Sequence, residues 1–451
     1  MTWLSPFNLA LFKLAPLQLA FLSLLLGTGA SKPVQSLDLA SLALKPTWES
    51  PWLQQKLVAD LQAAQIVNSY VSNLSSAGFS SDFQSVWMGV GSYPIAKYQE
   101  AQRLPAASLT KIATTLAAVE TWGVDHRFDT LVGWRGTLTD GVLQGDLIVR
   151  GGGDPLFVWE EAIALGNALQ QLGIQRVTGN LIIVDSFVMN FKTDPLEAGS
   201  LLKEALNANT WAADVQRQYQ MMPPGTGQPR IQIDGTVQVG SPLATVNQAS
   251  GWLLRHQSLP LAAILKAMNI YSNNVMSDLV AQTLGGPTTV MQVANQVAGV
   301  NPVEISLTNG SGLGEDNQIS AKAVVQMLQT IQTKLAVHQL TIADLFPVSG
   351  TDTGTLIDRT LPHHAALKTG SLAVVSSLAG AFPTEKKGVV WFAIINYGSG
   401  LDELRYRQDR LLADLEQRWG KAKEIPPELK TTIRFNQGPY QLGDPARNQK
   451  M

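Results

Sequence analysis

Three short motifs carry side chains suited to acyl transfer. The first is Ser108-Leu109-Thr110-Lys111. On a helix, positions i and i+3 share a face about one turn apart, so the Lys111 amine can reach the Ser108 hydroxyl. A serine hydroxyl becomes a good nucleophile only when a base takes its proton, and a neutral lysine can be that base. Lysine is neutral near pH 7 only where burial or another cation lowers its pKa. Residues Ile112 to Val119 carry no charge, so Lys111 belongs to a helix that can bury it. At the start of that helix, backbone N–H groups free of helical partners can polarise a carbonyl beside Ser108.

The second motif is Ser272-Asn273-Asn274, the only Ser-x-Asn in the chain. Its hydroxyl and carboxamide, two residues apart on a loop between helices, can point into one cleft. Ser272 could shuttle a proton there, and Asn274 could bind a substrate amide. The third is Lys368-Thr369-Gly370-Ser371, the only Lys-Thr-Gly. It leads into an apolar run and reads as the edge of a sheet. Lys368, Thr369 and Ser371 can hold a substrate carboxylate from such an edge, and Gly370 would let a substrate backbone lie close. Each motif alone has an ordinary explanation: a chance match, a helix cap, a solvated surface lysine. Ser-x-x-Lys indeed recurs at Ser200-Leu201-Leu202-Lys203, which reads as a chance match on a surface helix.

Elements that could position these residues are visible around them. Pro105 upstream, an Ala-rich interior and Gly123 downstream mark a central buried helix from Ser108 of about four turns. Helical spacing also covers Trp52 to Ile66, Leu261 to Leu284 and Ser320 to Leu335, with a last amphipathic helix through Leu404, Leu411, Leu412, Leu415 and Trp419. Ser85 to Val90 is strand-like. Leu378 to Phe382 and Val389 to Asn396 read as neighbouring buried strands joined by Glu385-Lys386-Lys387-Gly388. Between Phe128 and Gln248, short strand patterns are punctuated by Gly and Pro. That texture marks 128–248 as an inserted, mainly β accessory domain. It interrupts a main domain made of 31–127 and 249–420. Residues 421–451 read as a loose polar tail.

At 451 residues the chain is long enough for two or three domains. A net charge of −2 without any run of Lys and Arg argues against nucleic-acid binding. The absence of cysteine removes disulfides, thiolate metal sites and cysteine nucleophiles together. His126, His256, His338, His363 and His364 show no ligand spacing, so neither a metal nor another cofactor is expected. His363-His364 reads as a turn. Leu14 to Leu26 is mostly apolar, follows Lys13 and precedes Gly27-Thr28-Gly29-Ala30, the pattern of a secretory signal cut near Ala30. The other reading of residues 1–30, an uncleaved anchor, would hold the protein at the membrane periphery. Either one places it in the periplasm or cell envelope.

In their order along the chain, the three motifs match the signature of penicillin-binding proteins and class A β-lactamases. With Pro105-Ala106-Ala107-Ser108, Gly153-Asp154-Pro155, Leu265-Lys266-Ala267-Met268-Asn269, Asn309-Gly310-Ser311-Gly312-Leu313 and Gly354 to Arg359, the chain resembles a narrower group. These are the low-molecular-mass penicillin-binding proteins of the D-alanyl-D-alanine carboxypeptidase/endopeptidase type, peptidase family S13. The likeness runs over roughly 85–400. It implies an α/β (α+β) transpeptidase/β-lactamase-like domain, with an antiparallel sheet flanked by helices and an insertion between the first two motifs. It further implies peptidoglycan peptides and β-lactam antibiotics as partners. Carried over by position, Ser108 would be acylated, with Lys111 its base and Ser272 and Lys368 the proton relay to the leaving amine. Asn274, Thr369 and Ser371 would bind substrate, and the N–H groups of Ser108 and Ser371 would form an oxyanion hole. Asp154 and Arg359 would contact the peptide stem. Two departures stand out: Phe187 to Pro242 fits the pattern poorly, and Asn309 occupies a position where Asp is common. A β-lactamase, or a wall-binding protein with a vestigial site, remain the competing readings.

Overall fold

Strands that are apolar at nearly every position must be covered on both faces, and Leu378–Phe382 and Val389–Asn396 are of this kind. In a computed structural model, which describes residues 60–451, they belong to an antiparallel sheet of five strands. Its order is Ala366–Leu372, Val375–Thr384, Gly388–Tyr397, Gln84–Val90 and Tyr93–Tyr98. Strands far apart in the chain therefore meet in one sheet, and everything between Tyr98 and Ala366 is inserted into it. The leader read over 1–30 lies outside the described residues.

Alternation along each strand sorts side chains between two cores. Val86, Met88, Leu378, Phe382, Val390, Phe392 and Ile394 face the helices Leu61–Ser76 and Leu401–Trp419. Trp87, Ala379, Ala381, Trp391, Ala393 and Ile395 face the helix Thr110–Trp122 and its neighbours Leu261–Ile270 and Ala321–Ala336. Small alanines on this second face let the helix Ala321–Ala336 approach the sheet closely, and against it packs the helix Thr110–Trp122. That helix is buried from Thr110 to Val119 and ends at Gly123, whose φ of +75° suits a residue without Cβ.

The inserted region departs from the sequence reading in its composition and its limits. Asp129–Thr139 and Val142–Gly152 form an antiparallel hairpin, but Val142–Gly152 pairs in parallel with Arg176–Val177 and Leu181–Ser186. Leu181–Ser186 in turn pairs in parallel with Val237–Val239. Parallel neighbours need crossovers, and the helices Trp159–Gln171, Pro195–Ala205 and Ala213–Gln220 lie on those connections. The insertion is thus mixed α/β rather than mainly β. Its eight-stranded sheet also recruits Gly251–Gln257, beyond the expected limit at 248, and Asn448–Lys450 from the chain's end.

The expected loose tail at 421–451 is also corrected. Leu429, Ile433 and Leu442 are buried, and Asn448–Lys450 is an edge strand beside Gly251–Gln257. The polar residues that made this segment look loose satisfy its irregular backbone and a buried ionic cluster. Asp344 accepts the N–H groups of Thr432 and Ile433. Arg447 pairs with Glu161, both nearly inaccessible, while His256 Nδ1 and Asn448 Oδ1 lie 2.9 Å apart. Removing one member of a buried pair strands the other charge, at a cost of about 3–5 kcal/mol. Arg447→Met should lower stability by about that amount in denaturant unfolding. Lys450→Ala, at an exposed position, should stay within about 0.5 kcal/mol. Equal, negligible effects would restore the loose tail.

Candidate active site

Ser108 owes its position to a backbone strained just before it. Ala107 has φ +48°, a region that residues with a Cβ rarely adopt. The chain then makes a 3₁₀ turn over Ala107–Leu109 before the helix Thr110–Trp122 begins. Two hydrogen bonds fix the turn: Ala106 N–H donates to the Asn317 carbonyl at 2.9 Å, and Ser377 Oγ donates to the Ala106 carbonyl at 2.8 Å. Ser377 sits on the strand beside Lys368–Ser371, so the sheet holds the Ser108 turn directly.

Lys111 is fully buried. Its Nζ lies 3.0 Å from Ser108 Oγ, 2.7 Å from Asn274 Oδ1 and 2.8 Å from the Ser311 carbonyl oxygen. Burial pulls its pKa down to about 7, opposed by the charge of Asp278. A neutral amine has two N–H groups and one lone pair. Asn274 Oδ1 and the Ser311 carbonyl can only accept, so they take the two N–H groups and the lone pair is left for the Ser108 proton. The geometry selects the orientation a base needs.

A second lysine–serine pair borders the same cleft. Lys368 Nζ donates to Ser272 Oγ at 2.9 Å and to the Thr369 carbonyl at 2.7 Å. Burial, and then the nearby Lys111 charge, hold its pKa well below the ordinary lysine value. Ser272 has φ +51°, in the tight link between helices Leu261–Ile270 and Asn274–Thr283. Asn273, at the variable position of the motif, is the N-cap of the second helix and accepts from Met276 N–H at 3.0 Å. Its type is thus explained by capping, which leaves Ser272 and Asn274 to face the cleft.

Ser108, Ser272, Asn274, Thr369 and Ser371 line one cavity of about 730 Å³. Lys111 and Lys368 are buried behind its wall. The motif strand Ala366–Leu372 is at the sheet edge, as its sequence suggested. Gly370 has a packing role that the sequence did not suggest. A Cβ there would lie 2.2 Å from Ser377 Oγ, 2.9 Å from the Ala106 carbonyl oxygen and 3.0 Å from Ser108 N. Its missing side chain makes room for the Ser108 turn.

Arg359 lines the cavity, but its guanidinium is committed: it donates to Asp409 at 2.7 Å and to Gln408 Oε1 at 3.0 Å. Asp154 is not brought to the cleft. Its buried carboxyl accepts Leu156 N–H at 2.8 Å and has Glu161 and Arg447 as its charged neighbours. Burial raises its pKa to about 7. The second Ser-x-x-Lys is on the helix Pro195–Ala205, where Ser200 Oγ donates to Leu196 O and Lys203 Nζ to Gly235 O. It is a surface coincidence, as read. His363 and His364 fall in a turn.

Several residues of the site were given no role there by the sequence. The Ser311 carbonyl is presented to Lys111 by a loop in which Asn309 Oδ1 accepts the N–H groups of Ser311 and Gly312. Asn309 Nδ2 also donates to the Leu313 carbonyl, which an Asp could not do. Thr355 Oγ1 lies 2.8 Å from Thr369 Oγ1, and Arg405 NH2 donates to Ser371 Oγ at 2.9 Å. Only Asp278, one turn beyond Asn274 on the same helix, followed a spacing that could have revealed it.

The D-Ala-D-Ala carboxypeptidase 3 (S13) family matches residues 89–223 and 226–417, well over half of the chain. The chain belongs to this family. It is a hydrolase of the serine D-Ala-D-Ala carboxypeptidase type. The S13 match passes through Phe187–Pro242 with one short break, so this segment conforms better than its sequence suggested. D-alanyl-D-alanine carboxypeptidase DacB of Haemophilus influenzae is 24% identical over 405 residues, covering 68% of this chain and 83% of the relative. Among solved structures, the predatory peptidoglycan endopeptidase Bd3459 of Bdellovibrio bacteriovorus superposes with TM-score 0.67 at 19% identity, covering 82% of this chain and 99% of its own. Bd3459 is also known acylated by penicillin G. Penicillin-binding protein 4 (dacB) of Haemophilus influenzae gives TM-score 0.55 at 20% identity, covering 77% of this chain and 98% of that one. These likenesses agree with the S13 fold, an antiparallel sheet between helical layers.

Two outcomes are expected from this geometry. If neutral Lys111 takes the Ser108 proton, acylation by penicillin should fall about tenfold per pH unit below about 7 and level off above it. A flat profile between pH 5 and 8 would exclude Lys111 as the base. Gly370→Ala should push the Ser108 turn away and slow acylation by about 100-fold, with the melting temperature reporting whether the fold survives.

Proposed function

We propose that this S13 peptidase hydrolyses D-alanyl-D-alanine bonds of peptidoglycan stem peptides through an acyl-enzyme on Ser108. The observation that carries the proposal is the fully buried Lys111 amine, 3.0 Å from Ser108 Oγ, with no carboxylate bonded to it and a pKa near 7. Lys111 takes the Ser108 proton as Oγ attacks the carbonyl of the penultimate D-alanine. The N–H groups of Ser108 and Ser371 stabilise the oxyanion. The C–N bond then breaks, and the leaving amine receives a proton relayed through Ser272 and Lys368. Water attacks the ester next, returns a proton to Ser108 Oγ and releases the shortened peptide. Asn274, Thr369 and Ser371 hold the substrate against the motif strand.

Penicillin acylation of Bd3459 supports extending penicillin sensitivity to this chain, since a β-lactam presents the same reacting carbonyl. A substrate in the wall requires an exported enzyme, in keeping with the apolar run Leu14 to Leu26. No helix among the described residues is long and apolar enough to cross a membrane.

Fluorescent penicillin should label the wild type and Ser200→Ala but not Ser108→Ala, and the wild type should release D-alanine from a pentapeptide. Rapid turnover of penicillin without stable label would favour the β-lactamase reading. No label and no peptide cleavage by folded wild type would favour a vestigial, wall-binding role.

A further inference from the structure

Asn274 and Asp278 stand four residues apart on the helix Asn274–Thr283, so they share a face of it. Asn274 bonds to the Lys111 amine directly. Asp278 is aimed at a backbone instead, and its Oδ1 accepts the Gly310 N–H at 3.0 Å. Gly310 is gripped on its other side as well. Its carbonyl accepts Thr114 Oγ1 from the central helix and Ser277 Oγ from the Asp278 helix, each at 2.7 Å. A Cβ on Gly310 would lie 2.4 Å from Ala281 Cβ and 2.6 Å from the Ser277 carbonyl oxygen, so the loop rests on that helix without a gap. The next carbonyl along, that of Ser311, is one of the two acceptors that orient Lys111. Asp278 thus holds the residue just before the one that turns the Lys111 lone pair toward Ser108.

The charge of Asp278 also bears on Lys111, against the effect of burial. The other charged groups around this amine do not share that role. Lys368, on the motif strand, is a second buried amine. Lys266, Lys322 and Lys334, on neighbouring helices, each pair with an acid of their own: Asp352, Glu304 and Glu120. Glu315 and Asp316, farther along the loop, are exposed, and Glu315 accepts the Tyr397 hydroxyl. A carboxylate that acts without touching the amine favours its protonated form but does not lock the proton in a salt bridge.

We infer that Asp278 is a positioning residue for acylation, acting on Lys111 through the Gly310–Ser311 backbone and through its own charge. The inference rests on Lys111 as the base of the peptidase reading above, and adds what sets the pH range in which that base works. With Asp278 present, the amine keeps its proton to a higher pH than burial alone would allow. Loss of the charge therefore frees the base at lower pH, and loss of the Gly310 bond loosens its orientation.

The test follows acylation by fluorescent penicillin from pH 5 to 8 in the wild type, Asp278→Asn, Asp278→Ala and Asp278→Glu. Asparagine can still accept the Gly310 N–H but has no charge, so its acid limb should move to lower pH while its plateau stays near the wild-type rate. The share of the plateau rate kept at pH 6 should rise by about twofold or more. Alanine loses the Gly310 bond too, and should combine that shift with a plateau lower by about tenfold. Glutamate restores the charge and should return the limb toward its wild-type place. Melting temperatures report a purely structural role, which would lower stability without moving the limb. If Asp278→Asn does not fold, Asp278→Ser, smaller and equally uncharged, reads the same shift. A wild-type rate that is flat in pH would remove Lys111 as the base, and this inference with it. A wild-type limb that stays in place in the uncharged variants, or moves to higher pH, would overturn the role of Asp278 alone.

Discussion

Two lysines are buried beside one cavity without a carboxylate bonded to either, and most of the active-site architecture follows from that arrangement. A buried amine resists protonation because low-dielectric surroundings disfavour its charge. Lys266 makes the comparison within the same protein. It is just as buried, but Asp352 Oδ2 lies 2.7 Å from its amine, with the Ala343 and Phe346 carbonyls completing its bonds. That lysine ties a helix to the loop beside the cleft. Lys111 and Lys368 instead meet hydroxyl, carboxamide and carbonyl oxygens, which satisfy a neutral amine without anchoring a positive charge. Burial lowers the pKa of all three amines, but only Lys266 has a carboxylate bonded to it.

Keeping two uncompensated amines dry requires walls on every side. The uncharged helix Thr110–Trp122 is one wall and the motif strand another. The Asn309–Leu313 loop, which turns the Ser311 carbonyl onto Lys111, is a third. Strain is concentrated where these walls meet the chemistry: Ala107 and Ser272 both adopt positive φ next to or within the motifs. Such conformations persist only where the surroundings over-determine them, here through the Asn317 and Ser377 bonds to Ala106 and the Asn273 cap.

What the sequence made legible follows from these constraints. Ser108, Lys111, Ser272, Asn274 and Lys368 could be picked out as candidates because acyl transfer needs those types at those spacings, and the structure brings them together. The central helix and the hairpin around Lys386 could be found because both-sided burial leaves unbroken apolar runs. Other features depend on long-range pairing that leaves no local periodicity. The strand patterns of the insertion do not say which strands pair in parallel, and residues 421–451 read as polar because Arg447 and Asn448 serve Glu161 and His256. Asp154 resembled a substrate contact but is buried beside Leu156. Arg405 and Asp409 were invisible because surface charges on an amphipathic helix look alike until the helix is docked.

The pairing of Gln84–Val90 with Gly388–Tyr397 has a consequence for the order in which the molecule comes into being. Gln84 and Asn396, hydrogen-bonded through their side chains in the buried middle of the sheet, are 312 residues apart in the chain. Contacts of such range form late, since loop closure must precede any reward from them. Ser108 and Lys111 emerge early in synthesis, yet the strand that carries Lys368 comes nearly at the end, and Asn448–Lys450 later still. Until then the nucleophile's turn lacks Ser377, and Lys111 lacks the wall that dries it. The newborn chain thus stays chemically silent after Ser108 and Lys111 are made, and the capacity to cut arrives only with the strand that carries Lys368.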